Sequence, residues 1–307
     1  MITRREAIKL FGSASAAAFA AQLGFSSLAT NALAEPALIQ QKSDDTLALA
    51  PGSPLSPERT ALIEAFKKQS DGLENKFEAR TYKSDLTMPY RLFKPEAKGK
   101  LPLVVYLHGS GGLGDDNEKQ LGLGNVFGTR VWLLPENQKN FPCCVLVPQT
   151  DRGWARYDLS QQTEGPAKVL PGLGDGSRLA LEIIDALRKE FAQIDEHRIY
   201  VTGQSMGGAG VWNVITHRPK FFAAAVPCCG SASTEDGTEA LDTPLWAFHG
   251  GSDQTVPADV TRNRIARRRK AGGHPFYTEY AGVDHNVWQW AYTEPELVKW
   301  LFGQRRS

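Results

Sequence analysis

From about residue 76 onward, short apolar runs alternate with longer stretches in which apolar residues recur every three to four positions. Leu103-Val104-Val105-Tyr106-Leu107, Cys144-Val145-Leu146-Val147, Arg198-Ile199-Tyr200-Val201-Thr202, Ala223 to Val226, Leu245-Trp246-Ala247-Phe248 and 275–280 read as strands. Several are apolar throughout, as strands covered on both faces require. Between them Leu179, Ile183, Ile184, Leu187 and Phe191 mark an amphipathic helix, and Gly207 to His217 a second, stopped by Pro219. Two more helices fall at about 258–271 and 295–303. Earlier in the chain, Ser56-Pro57 opens a helix, because a serine hydroxyl can cap it and proline fits its first position. Leu62, Ile63 and Phe66 give that helix its apolar face, and strand-like runs follow at about 76–82 and 88–93. The alternation predicts an α/β domain over 73–307, a mainly parallel sheet with helices on both faces, preceded by a lead-in and helix over 35–72. Residues 149–176, rich in Gly, Pro and Gln and carrying Trp154 and Tyr157, read as a long loop of the kind that covers a site.

The first 34 residues have a different pattern and read as an export signal. Arg4-Arg5 is a basic start, an Ala-rich, mildly apolar stretch follows, and Ala32-Leu33-Ala34 is a small-x-small cleavage site. Thr3-Arg4-Arg5-Glu6-Ala7-Ile8-Lys9 resembles a twin-arginine signal, although Ala7 stands where that signal has a large apolar residue. The expected location is therefore periplasmic or secreted. The stretch is too weakly hydrophobic for a membrane anchor, so stable membrane insertion is not expected.

Composition adds mainly exclusions. The 307 residues hold 35 Lys+Arg against 34 Asp+Glu, with 41% hydrophobic residues. Removal of 1–34 leaves a formal charge of −1, which gives no reason to expect nucleic acid as a partner. Cys143-Cys144 and Cys228-Cys229 lack zinc-site spacing and lie in strand-like runs. They read as small buried hydrophobes, with one thiol of each pair facing inward and a cross-pair disulfide open to them in an oxidising compartment.

The chemistry falls at strand ends. Gly203-Gln204-Ser205-Met206-Gly207 is a G-x-S-x-G motif between a strand and a helix, the context in which a sharp turn exposes the serine hydroxyl. Such a serine needs a base, and the base an orienting carboxylate. Asp253 follows the strand ending at Phe248, and His285 follows the last strand; they lie 48 and 80 residues beyond Ser205. Ser205 is thus the candidate nucleophile, His285 the general base and acid, and Asp253 the orienting acid. Asp284 is a weaker choice, being adjacent to His285, and His197, His217, His249 and His274 read as structural or surface residues. The Met206 amide and the Ser110 amide, with Gly111 as its alternative, are the candidate oxyanion hole. His108 reads as a fixer of that loop, and Trp288 and Trp154 as candidate substrate contacts. Gly109 to Gly114 also fits G-x-G-x-x-G, but Asp115-Asp116-Asn117-Glu118 would repel a pyrophosphate, which disfavours a dinucleotide. The basic run Arg262 to Lys270 reads as a solvated helix face.

Leu107-His108-Gly109-Ser110-Gly111-Gly112, Gly203 to Gly208, His249 to Pro257 and Asp284 to Trp288 together resemble an α/β-hydrolase. The branch they resemble joins carbohydrate esterase family 1, polyhydroxybutyrate depolymerases and predicted peptidases of the phospholipase/carboxylesterase-like kind. Over about 75–302 the resemblance implies an eight-stranded, mostly parallel sheet in which 76–82 and 88–93 are the antiparallel first strands. It implies a serine hydrolase acting on a small-molecule or polysaccharide ester, needing no metal or organic cofactor. A peptidase with the same triad and a non-catalytic binding protein on a hydrolase scaffold are the alternatives.

Overall fold

The computed structural model describes residues 56–158, 168–231 and 241–307. The expected signal at 1–34 and most of the lead-in lie outside them. Helix α1 (Pro57–Ser70) begins as its sequence dictates, with Ser56 Oγ accepting from Arg59 N–H at 3.3 Å. Ile63 and Phe66 are buried, and Phe66 stacks on Phe127 at 4.6 Å. Leu62, expected on the same face, is instead 41% exposed.

Strands β1 (Glu78–Lys83), β2 (Thr87–Phe93), β3 (Leu101–Leu107) and β4 (Cys144–Pro148) form half of an eight-stranded sheet. After the small strands β5 (Ala155–Asp158) and β6 (Lys168–Leu173) come β7 (Ile194–Gln204), β8 (Ala224–Cys228), β9 (Trp246–Gly250) and β10 (Phe276–Tyr280). The order is β1-β2-β4-β3-β7-β8-β9-β10. Pairings of β1 with β2 and of β2 with β4 are antiparallel, and all others in this sheet are parallel.

The central strands divide their side chains between two cores. Leu103, Val105 and Leu107 face α4 (Asp175–Glu190) and α5 (Met206–His217). Val104 and Tyr106 face the opposite core with Phe66, Phe127, Trp132 and the C-terminal helices α7 (Trp288–Ala291) and α8 (Leu297–Phe302). The helices α2 (Val126–Arg130), α3 (Pro135–Asn140) and α6 (Asp259–Lys270) complete the chain order. Each fully buried large side chain contributes roughly 1.5–3 kcal/mol, so a sheet covered on both faces is a rigid base for its edge loops.

The expected long loop is corrected. Residues 149–176 are not one open loop: β5 and β6 pair as an antiparallel ribbon. It is held onto α5 by Asn213, whose Oδ1 accepts from Gly174 N–H at 3.1 Å and whose Nδ2 donates to Gly172 O at 3.0 Å. The cysteines are the small buried hydrophobes expected, and Cys143 and Cys144 alternate between the two cores. All four are free and buried, so the second thiol of each pair is also inside and no cross-pair disulfide joins them: the sheet is covered on both faces, with Cys144 in one core and Cys143, Cys228 and Cys229 in the other. Among the described residues no helix is long and apolar enough to cross a membrane.

Candidate active site

Strands β3 and β7 run parallel with Leu107 opposite Gly203, so both end at one edge of the sheet. The chain leaves β7 through Ser205, whose φ of 54° and ψ of −120° are unusual for a residue with a side chain. The turn survives because its neighbours are glycines. A Cβ on Gly207 would overlap the carbonyl oxygen of Leu107, so only glycine lets α5 pack so close to β3. Ser205 N–H donates to Cys228 O at 2.9 Å, tying the turn to β8.

Ser205 Oγ lies 2.8 Å from His285 Nε2, and His285 Nδ1 lies 2.7 Å from Asp253 Oδ2. The other carboxylate oxygen of Asp253 accepts from Thr255 and Val256 N–H, both at 2.8 Å. With the carboxylate as acceptor, Nδ1 carries the proton and Nε2 is left to accept from the serine hydroxyl. Burial alone would raise Asp253, but hydrogen bonds from His249, His285 and Val256 N–H outweigh it and hold the carboxyl well below the usual carboxylate range. Asp284 is exposed and turned away from the ring, accepting from Gln254 N–H at 3.0 Å.

The two candidate oxyanion donors stand at helix starts. Met206 is the first residue of α5, whose first backbone bond runs from Ala209 N to Ser205 O. Ser110 opens a single helical turn closed by Gly112 N–H to Gly109 O at 2.9 Å. First-turn amides have no acceptor within their own helix and remain available to an anion. A Cβ on Gly109 would sit 3.4 Å from Gln204 O, which sets the Ser110 loop directly beside the serine turn. His108, fully buried, fixes this loop through contacts to Gly109 O at 2.8 Å and Thr150 N at 3.1 Å.

A thiol approaches from below. Ligand atoms of Cys229, Asp253 and His285 lie within 4.8 Å of one another, and Cys229 Sγ donates to His285 O at 3.4 Å. As a metal centre the group fits poorly. Nδ1 and Oδ2 already share a proton at 2.7 Å, closer than the roughly 3.3 Å between ligands that zinc bond lengths imply.

Residues 158–289 match the dienelactone hydrolase family. A solved structure described as a thermostable esterase is 36% identical, with a TM-score of 0.68, over 76% of this chain and 64% of its own. The Pyrococcus horikoshii acylaminoacyl peptidase shares the fold with a TM-score of 0.51 at 16% identity, over 78% of this chain and 41% of its own. The bifunctional acetylxylan esterase/xylanase XynS20E of Neocallimastix patriciarum is 25% identical over 120 residues, 36% of this chain and 18% of that protein. The chain has the α/β-hydrolase fold.

Trp288 lies beside the serine–histidine pair, its ring edge-on to His285 at 5.6 Å. Trp154 does not line the site. It is fully buried in the core under α5, and its indole N–H donates to His108 O at 2.8 Å, so it is a prop for the Ser110 loop rather than a substrate contact. Its place in a stretch read as a long loop suggested a contact over the site; packing against Gly210 of α5 and edge-on to the His108 ring at 4.9 Å removes it from solvent.

The site also rests on residues that sequence reasoning passed over. Asn125 is buried, and its Oδ1 accepts from Gly109 N–H at 2.9 Å and Tyr106 Oη–H at 3.1 Å, bolting the 122–125 segment to the Ser110 loop. His249, expected to be structural, is buried with Nε2 3.3 Å from Asp253 Oδ2. Its Nε2 also meets Val256 O at 2.8 Å and its Nδ1 meets Thr261 Oγ1 at 2.8 Å. The sequence carried one usable signal for it, namely its place at the end of β9, four residues before Asp253.

Proposed function

We propose that this α/β-hydrolase is an exported serine esterase that cleaves carboxylic esters through an acyl-enzyme. The observation that carries the proposal is the unbroken relay from Ser205 Oγ through His285 to Asp253, at 2.8 and 2.7 Å. Ser205 attacks the ester carbonyl while His285 Nε2 takes its proton, and Asp253 stabilises the imidazolium. The carbonyl oxygen, now negative, rests on the Ser110 and Met206 amides. His285 then protonates the departing alcohol, activates a water and releases the acid.

An acylated or feruloylated polysaccharide, or a small ester, is the proposed substrate. The name of the acetylxylan esterase/xylanase relative and the expected export of this chain both favour a substrate outside the cytoplasm. A peptidase with the same triad is the second reading, because an acylaminoacyl peptidase shares the fold. The neighbour at 36% identity is an esterase, which favours ester over amide.

The test is hydrolysis by residues 35–307 and the Ser205→Ala variant of p-nitrophenyl acetate, butyrate and octanoate, methyl ferulate, acetylated xylan and a peptide anilide. Ester cleavage lost in the variant is the expected result. Cleavage of the anilide alone would move the assignment to a peptidase, and esterase activity retained by Ser205→Ala would overturn the mechanism. Export is tested separately by fusing residues 1–34 to a reporter active only outside the cytoplasm.

A further inference from the structure

Among the described residues only three large apolar side chains are exposed, and two of them, Leu113 and Leu123, bracket the segment that follows the Ser110 loop. Leu123 is the extreme case at 77% exposed. Its backbone is also in the left-handed region, with φ of 47°, although glycines flank it on both sides and would take that conformation more easily. A leucine that is both strained and left in water gains nothing for the fold, and such positions collect where a ligand is held.

The surroundings of Leu123 show where it points. A Cβ on Gly111 would lie 3.6 Å from Leu123 Cδ1, so the leucine methyl rests beside the Ser110 loop. A Cβ on the next residue, Gly124, would lie 3.1 Å from both Trp288 Cζ2 and Gln204 Nε2, so the segment is wedged against the tryptophan that packs on His285. The residue after that is Asn125, whose two accepted hydrogen bonds hold the segment in place. Leu123 is therefore presented rigidly at the mouth of the site, with Trp288 as the adjoining apolar surface.

Resting on the esterase reading, we infer that Leu123 and Trp288 form an apolar wall that receives the acyl chain of the ester, so that acyl groups of several carbons are preferred to acetyl. Burying methylenes of the acyl chain against Leu123 removes apolar surface from water on both partners, and the gain grows with chain length.

The experiment compares wild type with Leu123→Gly and Leu123→Met on p-nitrophenyl acetate, butyrate and octanoate, and on ethyl, butyl and octyl acetate. Wild type is expected to favour octanoate over acetate, and Leu123→Gly to lower that kcat/KM ratio about tenfold. Leu123→Met should keep the ratio, and Leu123→Gly should unfold at a higher temperature because glycine relieves the backbone. A ratio unchanged in Leu123→Gly, or a change that follows alcohol length instead of acyl length, overturns the inference. A wild type no better than Ser205→Ala on every ester overturns the esterase reading and this inference with it.

Discussion

His249 Nε2 lies 3.3 Å from Asp253 Oδ2, the same carboxylate oxygen that faces His285 Nδ1 at 2.7 Å. The Val256 carbonyl 2.8 Å from His249 Nε2 can only accept, so that nitrogen carries its proton and offers it toward Asp253 as well. His249 therefore helps keep the Asp253 carboxylate charged and aimed, while touching neither Ser205 nor substrate. It is a positioning residue. Replacing it with phenylalanine should lower kcat about tenfold with KM little changed, the size typical of losing an outer hydrogen bond to a catalytic group. His249→Gln, which keeps a donor, should recover part of the loss. Steady-state kinetics of both variants check this, and a kcat equal to wild type in His249→Phe would show that His285 and the backbone amides suffice to hold Asp253.

Asn125 leads to a second expectation. Its Oδ1 is the acceptor for two donors, Gly109 N–H and Tyr106 Oη–H, and all three groups are buried. Asn125→Ala would leave both donors unpaired, at about 1–3 kcal/mol each. The loop that relaxes to satisfy them is the one carrying Ser110. The variant should therefore unfold at a lower temperature and lose about 10- to 100-fold in kcat, the range for a displaced oxyanion donor. Asn125→Asp keeps the acceptor and should lose less. A variant that is destabilised yet catalytically unimpaired would assign Asn125 to the fold alone.

Much of this arrangement was legible in the sequence because it lies at strand ends, where fold and chemistry share one signal. The run Ile199-Tyr200-Val201 dictates a buried strand, Gly203 and Gly207 dictate a tight turn, and Ser205 between them stands at the exposed edge. Asp253 and His285 were readable for the same reason, each in the turn after β9 or β10. What was not legible depends on packing between distant segments. Trp154 lies in a polar, glycine-rich stretch that looks exposed, and packing against α5 and the His108 ring buries it. Leu123 reads as one more apolar residue, since neither its positive φ nor its exposure follows from local composition. Asn125 looks like a loop asparagine until β3 places Gly109 and Tyr106 around its carbonyl.

His108 makes the stability of the protein depend on pH in a definite direction. Its ring is fully buried, Nδ1–H donates to Gly109 O at 2.8 Å, and Nε2 accepts from Thr150 N–H at 3.1 Å. A proton added at Nε2 would face the Thr150 amide proton. Burial accordingly pushes the imidazole down from the ordinary 6.5 to about 4, against a smaller upward pull from the Gly109 carbonyl. The unfolded chain takes up the proton near 6.5 and the folded chain only near 4, so between these values the unfolded state binds more protons. Stability from this group is then complete above about pH 6.5 and is lost as pH falls through 4, by about 3 kcal/mol in all. Depressed carboxylates such as Asp253 act below that window, because they release their protons well under pH 4. Urea unfolding measured from pH 4.5 to 7 should show stability rising with pH in the wild type. His108→Gln keeps a side-chain donor and an acceptor without the titration, and should flatten that rise while being less stable at pH 7. Equal slopes in the two proteins would place the acid sensitivity on another group.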